Sequence, residues 1–386
     1  MASVKPLEGI TVIEIGHSVA GPYAGFILAE LGAKVIKLER PGGGDYARGW
    51  GPPFWRGDAA IFHGLNRNKQ AISVDLSDPA EAAKIKALII DDVDVVIQNM
   101  RFGALDRLGF GAADLKAIKP ALIYCNIGAF GATGPLRENP GYDPLMQAFS
   151  GMMSILGEDG RPPIRVGVSI IDMASGMWAA IGVLGALLER GRTGEGGVVD
   201  CLLLEAALAW MLNPVTSYLC SGKMPKRVGS ASPDIVPYQA FETQTGYMMV
   251  AAGNDNLFRK LCEAIGRPEL ASDPRFATNK DRVVNRAVLV PILGETLRER
   301  PADHWFGVLD QAGIPNGPIH TVDQVIAHPQ VEALGILQKV NDDTMRLLGL
   351  PVSFDGARAS LDRVAPSVGQ DNGVYFPRQL TKEVNS

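Results

Sequence analysis

The chain has 386 residues, 46% hydrophobic and 20% charged, with a formal net charge of −5. That length and balance describe a globular chain able to bury a large core, and the acidic balance offers no basic stripe for nucleic acid. The four cysteines, Cys125, Cys201, Cys220 and Cys262, form no C-x-x-C pair and have no histidine at ligand spacing, so neither a metal site nor a disulfide framework is predicted.

The opening "MASVKPLEG" lacks the basic and apolar regions of a secretory signal. No apolar run is read as long enough to span a bilayer free of charge, proline or polar clusters. With its cysteines read as small hydrophobes in a reducing compartment, the protein is expected to be cytoplasmic. "ITVIEIG" (10–16) is predicted as a strand, "GPYAGFILAELGA" (21–33) as a helix stopped near Gly32, and "KVIKLER" (34–40) as a second strand. "AISVDLS" (71–77) is a third strand, and "DPAEAAKIKALIID" (78–91) a helix with aspartate at its cap and proline in its first turn. "VDVVIQNM" (93–100) and "ALIYCNIG" (121–128) are strands flanking the helical "AADLKAIK".

Strand and helix in alternation predict an α/β fold with a doubly wound, Rossmann-like parallel sheet in a large domain over 1–222. "GKMPKRVGSASPD" reads as a connector. Beyond it, "YQAFETQTGYMMVAAG" predicts a hairpin turning at Thr245–Gly246, followed by the helical runs "NLFRKLCEAIG", "NRAVLVPILGETLRER" and "ADHWFGVLDQAG". This gives a smaller α+β domain over 225–330. Residues 331–386 are too poor in apolar residues for a core of their own and are expected to return to the large domain, with a helix conceivable only at the very end.

Ligands of doubly wound sheets bind at the carboxyl ends of the strands. The first strand-to-helix turn, "GHSVAGPYAG", does not have the G-x-G-x-x-G spacing of a dinucleotide site, and Pro22 removes a backbone donor there. Glu39 alone, at a strand end, is weak support for a ribose contact. Arg40, Lys69, Arg101, Arg107 and Arg137 stand near predicted strand ends and suit an anionic ligand. Arg40 and Arg107 are the favoured ligands, and Lys69 and Arg137 are read as solvated surface. "GVSIIDMASG" sets one carboxylate, Asp172, among small and apolar residues just ahead of the run "MWAAIGVLGALLER". Its position alone fits a helix cap as well as a reactive group.

Several segments together resemble the class III coenzyme A transferases, the family of formyl-CoA–oxalate and carnitine-linked CoA-transferases. They are "PLEGITVIEIGHSVAGPYAGFILAELGAKVIKLERPGGGD", "NRNKQAISVDL", "QNMRFGALDRLGF", "NPGYDPLMQAFSG", "RVGVSIIDMASGMWAAIGVLGALLERGRTGEGGVVDCLLLEA" and "GIPNGPIHTVDQVIAHPQV". The resemblance implies that Asp172 is a nucleophile forming aspartyl anhydride and aspartyl-CoA thioester intermediates, with coenzyme A as substrate and no permanently bound cofactor. It implies CoA contacts from Ser18, Val19, Ala20, Arg40, Val74, Asp75, Leu76, Ser77, Asn99, Met100, Arg101, Arg107, Tyr142 and Asp143. It also implies an interlocked homodimer of ring-shaped subunits. Val19 stands where some relatives use an active-site glutamine. "GSASPDIVPYQAF" lacks the glycine-rich lid of formyl-CoA relatives and is similar to the succinyl-CoA–glutarate branch, so small dicarboxylic acids are the expected partners. Two alternatives stay open. One is a 2-methylacyl-CoA racemase, although Tyr142 replaces the histidine base of that branch. The other is a non-catalytic CoA-binding protein.

Overall fold

The computed structural model describes residues 4–340 and 345–376. The helix considered for the very end of the chain lies outside them. In chain order come β1 (Thr11–Ile15), α1 (Ala20–Glu30), β2 (Lys34–Glu39), a small hairpin of β3 (Phe54–Trp55) and β4 (Asp58–Ala59), α2 (Ala60–Asn66), β5 (Gln70–Ser73) and α3 (Pro79–Asp92). There follow β6 (Val95–Gln98), α4 (Ala112–Ile118), β7 (Ile123–Gly128), α5 (Asp143–Phe149), α6 (Met152–Ile155), α7 (Ile170–Thr193), β8 (Val198–Leu202), α8 (Leu203–Trp210) and α9 (Leu212–Ser221).

The chain divides into two compact units. One comprises the described parts of Met1–Ser150, Val166–Met211 and Pro329–Ser386; the other comprises Gly151–Arg165 and Leu212–His328. In the first, six strands form a sheet in the order β5-β2-β1-β6-β7-β8, every pair parallel. β1 is buried along its whole length, as a central strand covered on both faces must be. The chain runs from β1 toward one edge of the sheet and then returns to β6 on the other side of β1. The order therefore reverses between β1 and β6, the place where such sheets open a ligand crevice.

Local chemistry sets the elements. Asp78 caps α3 by accepting the N–H groups of Ala80 and Glu81, with Pro79 at the first helical position. Gly32, at φ 99°, ends the α1 segment where an L side chain is disfavoured. β5 stops at Ser73 rather than Ser77, because the Asp75 carboxylate accepts both the N–H and the hydroxyl of Ser77 and folds 74–77 into a turn. β8 is not among the predicted strands: its apolar residues run into α8 with no turn residue between them.

The second unit is built on a sheet of β9 (Tyr238–Thr243), β10 (Gly246–Ala251) and β11 (Asn316–Pro318). Its core includes Phe241, Met248, Val250, Phe258, Leu261, Trp305 and Leu309. The hairpin turns at Gln244–Thr245, one residue earlier than predicted, because Thr243 pairs with Gly246 and its hydroxyl bonds both the Thr245 N–H and the Gly246 carbonyl.

One helix bears on the expectation that no uncharged apolar run spans a bilayer. α7, at 24 residues, is long and apolar enough to cross a membrane, with a mean hydropathy of 1.7 over its best window. Its charges are confined to its ends, at Asp172, Glu189, Arg190 and Arg192. Here it lies against α1, β7, β8 and α8.

The contact with α1 is close. A Cβ on Gly176 would sit 2.8 Å from the Ala20 carbonyl oxygen and 3.1 Å from the Ala24 nitrogen. Gly176→Ala is expected to destabilise the fold by about 1–3 kcal/mol, since backbone atoms on both sides must shift. Thermal or urea unfolding of the variant checks this.

Candidate active site

The carboxyl ends of β1, β2, β5 and β6 carry most of the predicted binding residues. The turn after β1 is held from two sides. Asn99, just past β6, accepts the His17 N–H and donates to the His17 carbonyl, each at 2.9 Å. Asp45 accepts the Ser18 N–H at 2.9 Å. Ser18 takes φ 69°, a left-handed conformation uncommon for a non-glycine residue. Val19 and Ala20 follow, buried, at the start of α1.

Arg40 is exposed just past β2, its guanidinium 4.4 Å from the Tyr46 ring centroid and its Nε donating to the Gly44 carbonyl. Tyr46 in turn meets His17 edge-on at 5.4 Å. Burial first, and the nearby Lys37 and Arg40 charges after it, hold the His17 imidazole below its usual pKa against the pull of Asp45. This ring is therefore neutral at pH 7. Arg40, Tyr46, His17 and Ser18 thus form one continuous polar surface.

Asp172 lies in the first turn of α7, with Ser169 at the cap position making no side-chain cap bond. The helix start is capped from elsewhere. Asp143, 3% exposed, accepts the N–H of Ile171 at 2.6 Å and of Asp172 at 3.2 Å through one oxygen. Its other oxygen accepts from the Gln147 amide at 2.6 Å, and Gln147 accepts the Val166 N–H at 2.8 Å. Among the described residues no hydrogen bond or ion pair engages the Asp172 carboxylate. Burial, and then the Asp143 charge, raise its pKa to about 7. One helical turn beyond it on the same face, Gly176 meets Ala20 of α1. That contact brings Asp172 to the end of α1 that carries the Ser18–Ala20 turn.

The other predicted contacts fall as follows. Val74 is buried and Leu76 half-buried, whereas Asp75 and Ser77 are exposed in their turn. Asn99 and Met100 are half-buried; Arg101 and Arg107 are exposed. Tyr142 is 58% exposed at the head of α5. Asp143 is buried, with its oxygens turned to the α7 backbone and to Gln147 rather than outward. Arg137 is exposed and paired with Glu138.

Lys69 overturns its surface reading. It is completely buried, its ammonium 2.7 Å from Glu14. Glu39 is also buried and is held by Arg48 through two contacts, so no ribose contact is open to it. The Asp143 cap has no sequence signature, because its partner lies 28 residues away. The buried charges did leave one: Glu14 and Lys37 each follow directly on a buried apolar pair, Val12–Ile13 in β1 and Val35–Ile36 in β2.

A model of CoA-transferase family III matches residues 7–372. The chain belongs to that family. This CoA-transferase is 38% identical to a succinyl-CoA:glutarate CoA-transferase of Mus musculus, over 99% of the chain and 87% of the relative. It is 37% identical to a succinate–glutarate CoA-transferase of Agrobacterium fabrum, over 95% of the chain and 93% of the relative. An acetyl-CoA:oxalate CoA-transferase of Acetobacter aceti is 38% identical over 91% of the chain and 90% of the relative. Among solved structures, a CAIB/BAIF family protein from Brucella suis superposes with a TM-score of 0.85 at 40% identity, covering 96% of the chain and 98% of that protein. The transferase's mixed α/β architecture with its parallel sheet is thus shared with solved members, and CoA thioesters are its substrates.

Proposed function

We propose that this enzyme moves coenzyme A between small carboxylic acids, dicarboxylates among them, by covalent catalysis on Asp172. The observation that carries the reading is the division of labour at the start of α7. Asp143 caps the helix, so Asp172 is not needed as a cap. Its carboxylate is left partly buried, unbonded and hard to ionise. Such a group is costly to keep for structure alone and is suited to attack once desolvated beside a thioester.

In the reaction, an oxygen of ionised Asp172 bonds to the donor's thioester carbon. The C–S bond breaks, giving a mixed anhydride and CoA thiolate. The thiolate attacks the aspartyl carbonyl of the anhydride, the donor acid leaves as its carboxylate, and Asp172 holds CoA as a thioester. The acceptor carboxylate attacks that thioester and forms a second anhydride, again freeing the thiolate. Attack of the thiolate on the acceptor's acyl carbon yields the new acyl-CoA and restores the Asp172 carboxylate. Holding the thiolate nearby through both exchanges supplies the proximity the sequence needs.

We place CoA along Ser18–Ala20, Arg40, Val74–Ser77, Asn99–Arg101, Arg107 and Tyr142; support comes from the place of most of them just past the carboxyl ends of β1, β2, β5 and β6. The 37–38% identity with succinate–glutarate transferases supports dicarboxylic partners. The homodimer belongs to the same proposal. α9 buries no residue, Leu212 and Leu219 being 71% and 77% exposed, and Met177, Trp178 and Ile181 of α7 are exposed as well. Faces this apolar call for a partner. A cytoplasmic setting is consistent with the exposed free thiol of Cys220.

The deciding experiment incubates purified enzyme with succinyl-CoA or acetyl-CoA and a panel of mono- and dicarboxylic acids. Mass spectrometry reads new acyl-CoA and, after hydroxylamine or borohydride, modification at Asp172. Solvent deuterium entering the acyl 2-position without an acceptor acid, and no transfer, would replace this reading with racemisation. A monomer in sedimentation at working concentration would remove the dimer.

A further inference from the structure

Beneath the turn after β1 lies a cluster of four buried charges. The Lys37 ammonium donates to Glu14 at 2.8 Å and to the Gly16 carbonyl at 2.9 Å, and lies 2.8 Å from Asp45. Lys69 donates to the other oxygen of Glu14 at 2.7 Å, to the Pro22 carbonyl at 2.7 Å and to Asn66 at 2.9 Å. Glu14, Lys37 and Lys69 are fully buried and Asp45 is 4% exposed. Two positive and two negative charges balance. Burial alone would raise Glu14 and Asp45, but Lys37 and Lys69 hold Glu14, and Lys37 holds Asp45, below the usual carboxylate range. Burial brings Lys69 down to about 8.

Desolvating four ions costs several kcal/mol each, and mutual attraction commonly does little more than offset this, so the cluster is weak evidence for stability. What distinguishes it is where its remaining bonds go. Three end on the backbone that runs from the β1–α1 turn into the first turn of α1: Lys37 on Gly16, Asp45 on Ser18 and Lys69 on Pro22. The packing above leaves no slack, since a Cβ on Gly25 of α1 would lie 2.0 Å from a Glu14 oxygen. The same stretch of α1 meets α7 at Gly176, one turn from Asp172.

We propose that Glu14, Lys37, Asp45 and Lys69 form a positioning device for the transfer step, fixing the left-handed Ser18 turn and the first turn of α1 against Asp172. The proposal rests on Asp172 as nucleophile. None of the four touches substrate; each acts through the backbone it holds.

Asp45→Asn keeps the side-chain shape but sets an amide against the Lys37 ammonium. It is expected to lower kcat about 10–100-fold, the scale of a misplacement near 1 Å. KM for acyl-CoA should rise by less than kcat falls, since the Ser18 turn is also among the proposed CoA contacts. Amide exchange should speed up at residues 16–24 and stay unchanged in β6 and β7.

Should that variant fold poorly, Lys69→Met alone and with Glu14→Gln separates structure from positioning. The single change leaves a buried charge unbalanced, and the pair restores neutrality. Melting temperature should therefore recover in the double variant while kcat stays low, because the Pro22 carbonyl still lacks its donor. Folded variants with wild-type kcat and exchange, or kcat that tracks melting temperature across the set, overturn the proposal, as does a loss confined to KM. Asp172→Asn run alongside keeps the two readings apart: transfer retained in that variant refutes the nucleophile and leaves the exchange result to report on the cluster alone.

Discussion

Asp172→Asn is expected to lower kcat on the order of 10³–10⁶-fold, the scale on which an enzyme loses its covalent nucleophile. The substitution keeps the side chain's size, so acyl-CoA still binds, and intact-mass spectra should show no CoA adduct after mixing. Stability should move the opposite way. A carboxyl whose pKa rises on folding, here to about 7, favours the folded state fully only below its unfolded value. That contribution is lost as pH climbs toward 7, and above it the native state carries a desolvated charge. Asparagine carries none. The variant should therefore melt higher than wild type at pH 8, and the difference should shrink toward pH 5, a trade of stability for activity familiar at reactive sites. Wild-type turnover in this variant, or an adduct on another residue, would end the Asp172 mechanism.

The alternation of strand and helix was legible because each strand of the first half is a short β-branched run closed by glycine or a polar cluster. β1 and β2 are read to within a residue at each end, and the Asp78–Pro79 helix start follows from its own side chains. β8 was illegible because nothing separates "VVDCL" from the helix behind it. The same limit applies at the site. Asp172 can be picked out as one charge among small residues, and the turn after β1 by its place at a strand end. Local spacing carries no information about Asp143 reaching across 28 residues to cap α7, or about Asp45 holding the Ser18 N–H from 27 residues away. Lys69 was misread for a related reason: a lysine beside a strand is usually solvated, and only the sheet order sets it beneath α1, facing Glu14. Position along the chain yields the elements and the proposed nucleophile. The partners that tune that group come from the order in which strands lie side by side.

Removing the charge of Asp143 should move the enzyme's acid limb. On the proposed mechanism transfer requires ionised Asp172, so kcat/KM should rise with pH through a midpoint of about 7. Burial is the larger cause of that value and the Asp143 charge the second. Asp143→Asn removes only the second, so the midpoint should fall but stay above the ordinary aspartate value of ~3.9. Activity at pH 6 relative to pH 8 should increase accordingly, even if the maximum drops. The maximum should drop because the cap weakens. Asparagine keeps one oxygen for the Ile171 and Asp172 N–H groups, but turns an amide toward Gln147, which now donates to Asp143. If Gln147 flips to accept, the Val166 N–H loses the acceptor it has at 2.8 Å. Either way the cost should resemble that of a damaged helix cap, about 0.5–2 kcal/mol, visible as a lower melting temperature. Asp143→Ala pays the full cap loss and removes the same charge. The two variants should then share the shifted midpoint and differ in stability, which separates the electrostatic role of Asp143 from its structural one. A pH profile unmoved in both would mean that burial alone sets the ionisation of Asp172, and that Asp143 serves the helix and nothing more.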